Sequence, residues 1–272
     1  NLEKLKRINL SNNKLKKFPL EILPLVKLKE LRLYNNAITN LQKETLKLSK
    51  DLHIDLQLNK IPVPKEALSG LSIDVVQYIL DFQEASDKKP LKEAKLIFIG
   101  SGNVGKTSLI NRITKDHYNE NENKTDGIEI TDWKIKKKDG DLNVHIWDFG
   151  GQEIMHTTHK FFMTSRSIYV LVINPRTQDS YSGDNELEYW LKLIRSYASD
   201  VPIIIAVNKC EVHKSNIPKS QILDKYPNLL GFVETSCKEN QGIDKLVELI
   251  SNALNKLQFI NDKLPKSYFD IK

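Results

Sequence analysis

Apolar positions along this chain follow two different rhythms, and they divide it near residue 62. In the first part an apolar pattern returns every 23 residues. It reads Leu5, Ile8, Leu10, Asn13, Leu15, then Leu28, Leu31, Leu33, Asn36, Ile38, then Ile54, Leu56, Asn59, Ile61, with Asp51 standing where the third unit should open on Leu. Leucines on amphipathic helices would recur at a 3.6-residue spacing and would not put three asparagines in phase. The pattern instead predicts one short strand per repeat. Ile8 and Leu10 would point inward from the first, and Asn13 would hydrogen-bond backbone left unpaired where the chain turns. Beyond residue 62 the period is lost. Ile73, Val76 and Leu80 at helical spacing predict a helix that covers the open end of the last repeat, and residues 86–92, with Pro90, read as a short linker.

From residue 93 the rhythm changes. The apolar runs 96–99, 168–173, 203–207 and 229–233 have the length and composition of buried strands. Two further strands, 128–137 and 142–148, are joined by the turn-forming pair Asp139 and Gly140. Helices are predicted after residue 106, around 184–198 and over 242–258. The last carries a core-facing stripe of Ile243, Leu246, Val247, Ile250, Leu254 and Leu257. Strands alternating with helices predict an α/β sheet that binds its ligand at the carboxyl ends of the strands.

The 23-residue unit matches the leucine-rich repeat pattern. The chain opens without Met at the start of a unit, so a longer array continuing upstream is expected. The outward strand positions Arg7, Asn9, Ser11, Glu30, Arg32, Tyr34, His53, Asp55 and Gln57 would form a concave face of mixed charge, suited to a protein partner of unknown identity. Composition sharpens this. The 272 residues are 40% hydrophobic and 28% charged, with a net charge of +6. Residues 1–62 hold 13 Lys and Arg against 6 Asp and Glu, so the basic excess sits in the repeats. Most of it (Lys14, Lys16, Lys17, Lys43, Lys47, Lys50) lies outside the strands, and a nucleic-acid groove would be more uniformly basic; no nucleic-acid partner is expected. No apolar run approaches the ~18 residues of a membrane helix, so no membrane insertion is expected. Two cysteines, a polar start and no leader favour a cytoplasmic protein.

The chemistry is carried by motifs after residue 99. The strand 96–99 runs straight into Gly100, Ser101, Gly102, Asn103, Val104, Gly105, Lys106 and Thr107, a complete G-x-x-x-x-G-K-[ST] phosphate loop. Its glycines let backbone N–H groups turn toward phosphate oxygens, and the following helix aims its positive end at the anion. Lys106 reaches the β and γ phosphates and is expected to face solvent when no anion is bound. Thr107 can ligate Mg2+. A polar loop, 115–126, then presents Thr125. Asp148, ending a strand, can hold the same ion through water; Gly151 offers an N–H to a γ-phosphate, and Gln152 can orient a water for in-line attack. Two later strands end in Asn208, Lys209, Cys210, Glu211 and in Thr235, Ser236, Cys237, Lys238, which fit a base pocket.

In this order the motifs resemble the Ras-like small GTPases over residues 93–260. The repeats ahead of them, the wording Asp148 to Glu153 and the stretch His156, His159, Phe161, Phe162 resemble more narrowly the Roco family, in which repeats precede a Roc GTPase domain and a COR dimerisation domain. The resemblance implies repeats over 1–62, a cap helix and linker over 63–92, a Roc domain over 93–260 and the start of a truncated COR domain over 261–272. The fold class is then α/β: a short leucine-rich-repeat solenoid followed by a Ras-like P-loop GTPase domain with a mixed, mostly parallel sheet flanked by helices. It further implies that Gly100 to Ser108 bind phosphates of GTP or GDP and that Thr107 and Thr125 ligate Mg2+, with Asp148 behind a water. Thr131 is the alternative switch threonine. Asn208 would read the purine and Lys209 lie along its plane, while Ser236, Cys237 and Lys238 close over the base with the Cys237 N–H toward the guanine carbonyl.

One departure stands out, because the carboxylate that should accept both guanine N–H groups is Glu211 rather than Asp, one methylene longer. Gln152 is the catalytic candidate, and Arg176, after a strand's carboxyl end, is the arginine candidate for transition-state charge. Acting in trans, Arg176 would require a dimer. The family implies a homodimer through COR, with this chain monomeric alone. His156 and His159 lack partners at metal spacing and read as helix residues beside the switch. The function implied is slow GTP hydrolysis whose nucleotide state is coupled to protein-binding repeats; the alternative is a nucleotide-gated scaffold with negligible turnover.

Overall fold

The computed structural model describes residues 4–63, 68, 73–137, 140–150, 163–164, 166–175, 186–198, 200–212, 217–257, 260 and 263–266. The chain divides into two compact units, residues 1–91 together with 261–272, and residues 92–260.

In the first unit the 23-residue period becomes a ladder. Strands β1 (Arg7–Asn9), β2 (Glu30–Arg32) and β3 (His53–Asp55) form one parallel sheet in which Arg7 lies beside Glu30 and Glu30 beside His53. The in-phase asparagines do what their position suggested. Asn36 Nδ2 donates to the Leu33 carbonyl of its own repeat (3.0 Å) and to the Leu10 carbonyl of the preceding one (2.9 Å), while its Oδ1 accepts the Leu15 N–H. Asn59 repeats this one unit on, with Leu56, Leu33 and Ile38. Each asparagine thus satisfies backbone groups that a three-residue strand cannot pair. Leu31, Leu33, Ile38, Leu56 and the Val76, Ile79 and Leu80 face of helix α1 (Ile73–Glu84) share one core. Gln83 on that helix clasps the Leu41 backbone through both amide atoms.

Residues 86–92 are more than a linker. Strand β4 (Lys88–Pro90) pairs antiparallel with Lys263–Pro265 near the chain's end, a partner too distant in sequence for any periodicity to reveal.

The second unit is a six-stranded sheet built from β5 (Glu93–Ile99), β6 (Ile128–Ile135), β7 (Leu142–Phe149), β8 (Ser167–Ile173), β9 (Ile203–Asn208) and β10 (Leu229–Thr235), in the order β10-β9-β8-β5-β7-β6. All neighbours are parallel except β6 and β7. Helices α2 (Lys106–Lys115), α3 (Glu186–Tyr197), α4 (Lys219–Lys225) and α5 (Ile243–Lys256) complete it, α4 having no forecast in the sequence. Two apolar clusters cover the two faces: Leu96, Phe98, Val170, Leu246 and Ile250 belong to one, Ile97, Tyr169, Leu171, Trp190 and Leu191 to the other. Strand β5, with β7 on one side and β8 on the other, is where the strand order reverses, so the loop after it opens at the topological switch point.

Both clusters of this unit draw on residues 94–260 alone. A chain of residues 92–260 is therefore expected to fold cooperatively and keep its ligand affinity within about threefold, roughly 0.7 kcal/mol. Circular dichroism melting and nucleotide titration check this; aggregation or loss of binding would contradict it.

Candidate functional site

The loop between β5 and α2 is shaped by what surrounds it. Gly100 has φ +140°, and a Cβ there would stand 2.1 Å from the Val172 carbonyl oxygen of β8. Gly105 caps α2 in the left-handed region at φ +91°, where a Cβ would meet Asn208 Nδ2 at 2.4 Å. The loop thus lies directly against two neighbouring strand ends.

Lys106 departs from expectation. It does not face solvent: it is 6% exposed, and its Nζ donates to the carbonyls of Gly100 (2.9 Å) and Ser101 (3.0 Å). The loop's own carbonyls satisfy the ammonium. Burial lowers its pKa to about 8, with the Asp148 and Glu186 charges opposing that shift.

Three oxygen-bearing side chains from separate elements converge beside it. Thr107 Oγ1 donates to Asp148 Oδ2 at 2.6 Å, Thr125 Oγ1 approaches the same oxygen at 3.1 Å, and the two hydroxyls are 2.8 Å apart. Thr131 instead lies in the β6 ladder opposite Ile146, so the structure brings Thr125, not Thr131, to this point. Asp148 is 3% exposed, and its Oδ1 is buried without a hydrogen-bond partner among the described residues. Burial raises its pKa, against the lowering effects of Thr107 and Lys106. A buried carboxylate oxygen left unpaired beside two hydroxyls fits a small hard cation, which takes oxygen ligands and keeps several waters. Thr107, Thr125 and Asp148 are the residues that would hold Mg2+. The polar loop is closed onto β7 by the Gly150 N–H, which donates to Gly127 (2.9 Å).

At the other end stand the loops after β9 and β10. Asn208, almost fully buried, donates to the Val104 carbonyl (2.9 Å) and accepts from Thr235 Oγ1 (3.1 Å), so it ties the phosphate loop to both strand ends. Lys209 adopts φ +63° and reaches the Asn103 carbonyl at 2.8 Å. Ser236 is wholly buried; its backbone pairs both ways with Gln241, and its Oγ accepts the Glu239 N–H. Burial pushes the Cys237 thiol up to about 12, which keeps it protonated and unreactive.

Between these ends lies a cleft of about 540 Å³, within the range of small-molecule sites. Its walls include Gly102, Asn103, Gly105, Lys106, Thr107, Ser108, Thr125, Asn208, Lys209, Glu211, Cys237 and Lys238. Gly100, Ser101, Val104, Asp148 and Ser236 are not on that wall; they shape it from behind. Gly151, Gln152 and Arg176, like His156 and His159, lie outside the described residues. The sequence reading missed Tyr118, the aromatic in the polar loop, which lines the cleft with Glu120 and Glu122. Its position eleven residues past Thr107 was the available signal.

A phosphate loop at the switch point, a cation-type oxygen cluster and two base-side loops on one mostly parallel sheet define a Ras-like P-loop fold. Residues 95–211 match the family model described as Roc, Ras of Complex, Roc, domain of DAPkinase. The second unit is accordingly a Ras-like Roc domain. Over 246 residues, 80% of the chain, it is 30% identical to a Dictyostelium discoideum protein named probable serine/threonine-protein kinase pats1, of which the match covers 8%. It is 28% identical over 186 residues to a Roc-COR-CHAT protease of Runella zeae, matching 61% of this chain and 20% of that protein. The solved structure of Methanosarcina barkeri Roco2 RocCORdC bound to GDP is similar at 40% identity and a TM-score of 0.63, over 69% of this chain and 56% of that one. The chain spans only a small part of the curated relatives it matches.

Proposed function

We propose that the chain binds GTP and GDP with Mg2+ in the cleft and hydrolyses GTP slowly, as part of a Roco protein whose nucleotide state is coupled to protein-binding leucine-rich repeats in residues 1–62. The observation that carries this is the convergence of Thr107, Thr125 and Asp148 at the phosphate end, with the Asn208 and Ser236 loops at the other end of one cleft. The ion would neutralise charge developing on the phosphoryl oxygens. The protein's part is positional. Lys106 exchanges two carbonyls for phosphate oxygens, α2 presents its N-terminus, and Thr125 carries the nucleotide state into the loop that Gly150 pins. Gln152 would orient the attacking water, and Arg176 of a second copy, brought near by a COR-mediated dimer, would supply positive charge. The mixed outward face of the repeats suits a protein partner, and the whole reading fits the cytoplasm. Among the described residues, no helix is long and apolar enough to cross a membrane.

Calorimetric titration with GDP, GTP and ATP tests the binding, and multiple-turnover phosphate release by the chain and its Gln152→Leu form tests the turnover. Guanine-selective binding with Gln152-dependent release is expected. Equal affinity for ATP would overturn the guanine reading, and selective binding without release would favour the scaffold.

Glu211 is exposed on the cleft wall, where its carboxylate can meet the base N–H groups. Shortening it by one methylene is expected to improve alignment of these charge-assisted bonds and tighten GDP by about 2- to 10-fold, roughly 0.5–1.5 kcal/mol. Weaker GDP binding by Glu211→Asp would mark Glu211 as well fitted already.

A further inference from the structure

Arg112 projects from α2 toward the loop after β10, and its side chain is 15% exposed. Nε donates to the Cys237 carbonyl at 2.8 Å. Nη1 reaches the Asp116 carbonyl (3.2 Å) and carboxylate (3.3 Å), and the guanidinium lies 5.7 Å from the Tyr118 ring centroid. Tyr118, Cys237 and Lys238 all line the cleft, whereas Arg112 is not on its wall. One guanidinium therefore braces two walls of the base end from behind. Its planar fork suits this task, because each donor has a fixed direction.

We infer that Arg112 is a positioning residue that sets which purine the cleft accepts, by fixing the direction of the peptide between Cys237 and Lys238. A trans peptide carries its C=O and N–H on opposite sides. Holding the Cys237 carbonyl from behind turns the Lys238 N–H the other way, toward the cleft. A fixed donor there is matched by the carbonyl oxygen at C6 of guanine or hypoxanthine and opposed by the amino group at C6 of adenine. The flanks of the loop are held independently, by the backbone pairing of Ser236 with Gln241 and by the Glu239 N–H on Ser236 Oγ. The central peptide takes its direction from Arg112.

This inference rests on the reading of the cleft as a guanine-nucleotide site, and the test separates the two. Dissociation constants for GDP, IDP and ADP are measured for the wild-type chain, Arg112→Gln and Arg112→Lys, with a melting curve for each. The wild type is expected to prefer GDP and IDP to ADP. In Arg112→Gln that preference is expected to shrink about tenfold, the loss of one well-directed hydrogen bond. GDP and IDP should weaken together, because the effect falls on the C6 carbonyl that both share and not on the 2-amino group that faces Glu211. Arg112→Lys keeps a cation beside Asp116 and one donor; it should lose part of the preference while melting near the wild type, and it supplies the readout if the glutamine form does not fold. Parallel weakening of GDP and ADP, or an unchanged ratio, would overturn the inference and make Arg112 a structural brace. A wild type without guanine preference would overturn the reading of the site itself.

Discussion

Lys106→Ala is expected to remove GDP and GTP binding at any practical concentration while leaving both units folded. The ammonium donates to the Gly100 and Ser101 carbonyls of the phosphate loop and, among the described residues, is held by no carboxylate hydrogen bond. Phosphate oxygens would replace those carbonyls with charge-assisted bonds, each contributing on the order of 1.5–3 kcal/mol. Losing two such bonds amounts to roughly 10²- to 10⁴-fold in affinity. The folded chain loses less. Desolvation disfavours the ammonium here, so its removal relieves a cost that offsets part of the loss of its bonds to the two carbonyls. Titration calorimetry with GDP and a melting curve in its absence check both halves. A large fall in melting temperature together with lost binding would show that the lysine, not a ligand, holds the loop in shape.

How far the sequence reveals this site depends on the kind of constraint. Features fixed by local spacing were legible: the in-phase asparagines Asn36 and Asn59 and the glycine-rich loop at a strand end, because a repeat period and a contiguous motif can be read along the chain. Thr107 and Asp148 were legible as separate motif residues, but their meeting with Thr125 is a matter of the fold. What was not legible depends on partners distant in sequence. The environment of Lys106 is set by how the loop folds back on itself, which a motif does not specify. That Thr125 rather than Thr131 reaches Asp148 follows from β-pairing, which commits Thr131 to a ladder opposite Ile146. Arg112 reads as an ordinary charged position on an amphipathic helix; its meaning comes from Cys237, 125 residues away. The pairing of β4 with Lys263–Pro265 is of the same kind.

Gly100→Ala is expected to be the most destabilising single methyl addition in the phosphate loop, and the reason differs from that at Gly105. The Gly100 backbone lies at φ +140°, a conformation that L side chains rarely adopt, and the added Cβ would stand 2.1 Å from the Val172 carbonyl oxygen. That oxygen belongs to the centre of the sheet, where β8 is buried along its whole length between β5 and β9, so it has no room to withdraw. Strained backbone costs about 1–3 kcal/mol and overpacking a further ~1–3 kcal/mol, for a total of roughly 2–6 kcal/mol. For a unit of this size that corresponds to a fall in melting temperature of roughly 5–20 °C. At Gly105 the Cβ would meet the Asn208 side-chain amide instead, at 2.4 Å. A side chain can rotate away where a sheet carbonyl cannot, but doing so breaks the bonds of Asn208 to Val104 and Thr235 that hold the base loops to the phosphate loop. Gly105→Ala should therefore lose more nucleotide affinity than stability, and Gly100→Ala should lose stability first. Melting curves and GDP titrations on the two variants would separate them. A Gly100→Ala chain that melts within a degree or two of the wild type would mean that β8 yields at Val172, and that the first glycine of the motif serves the ligand rather than the sheet.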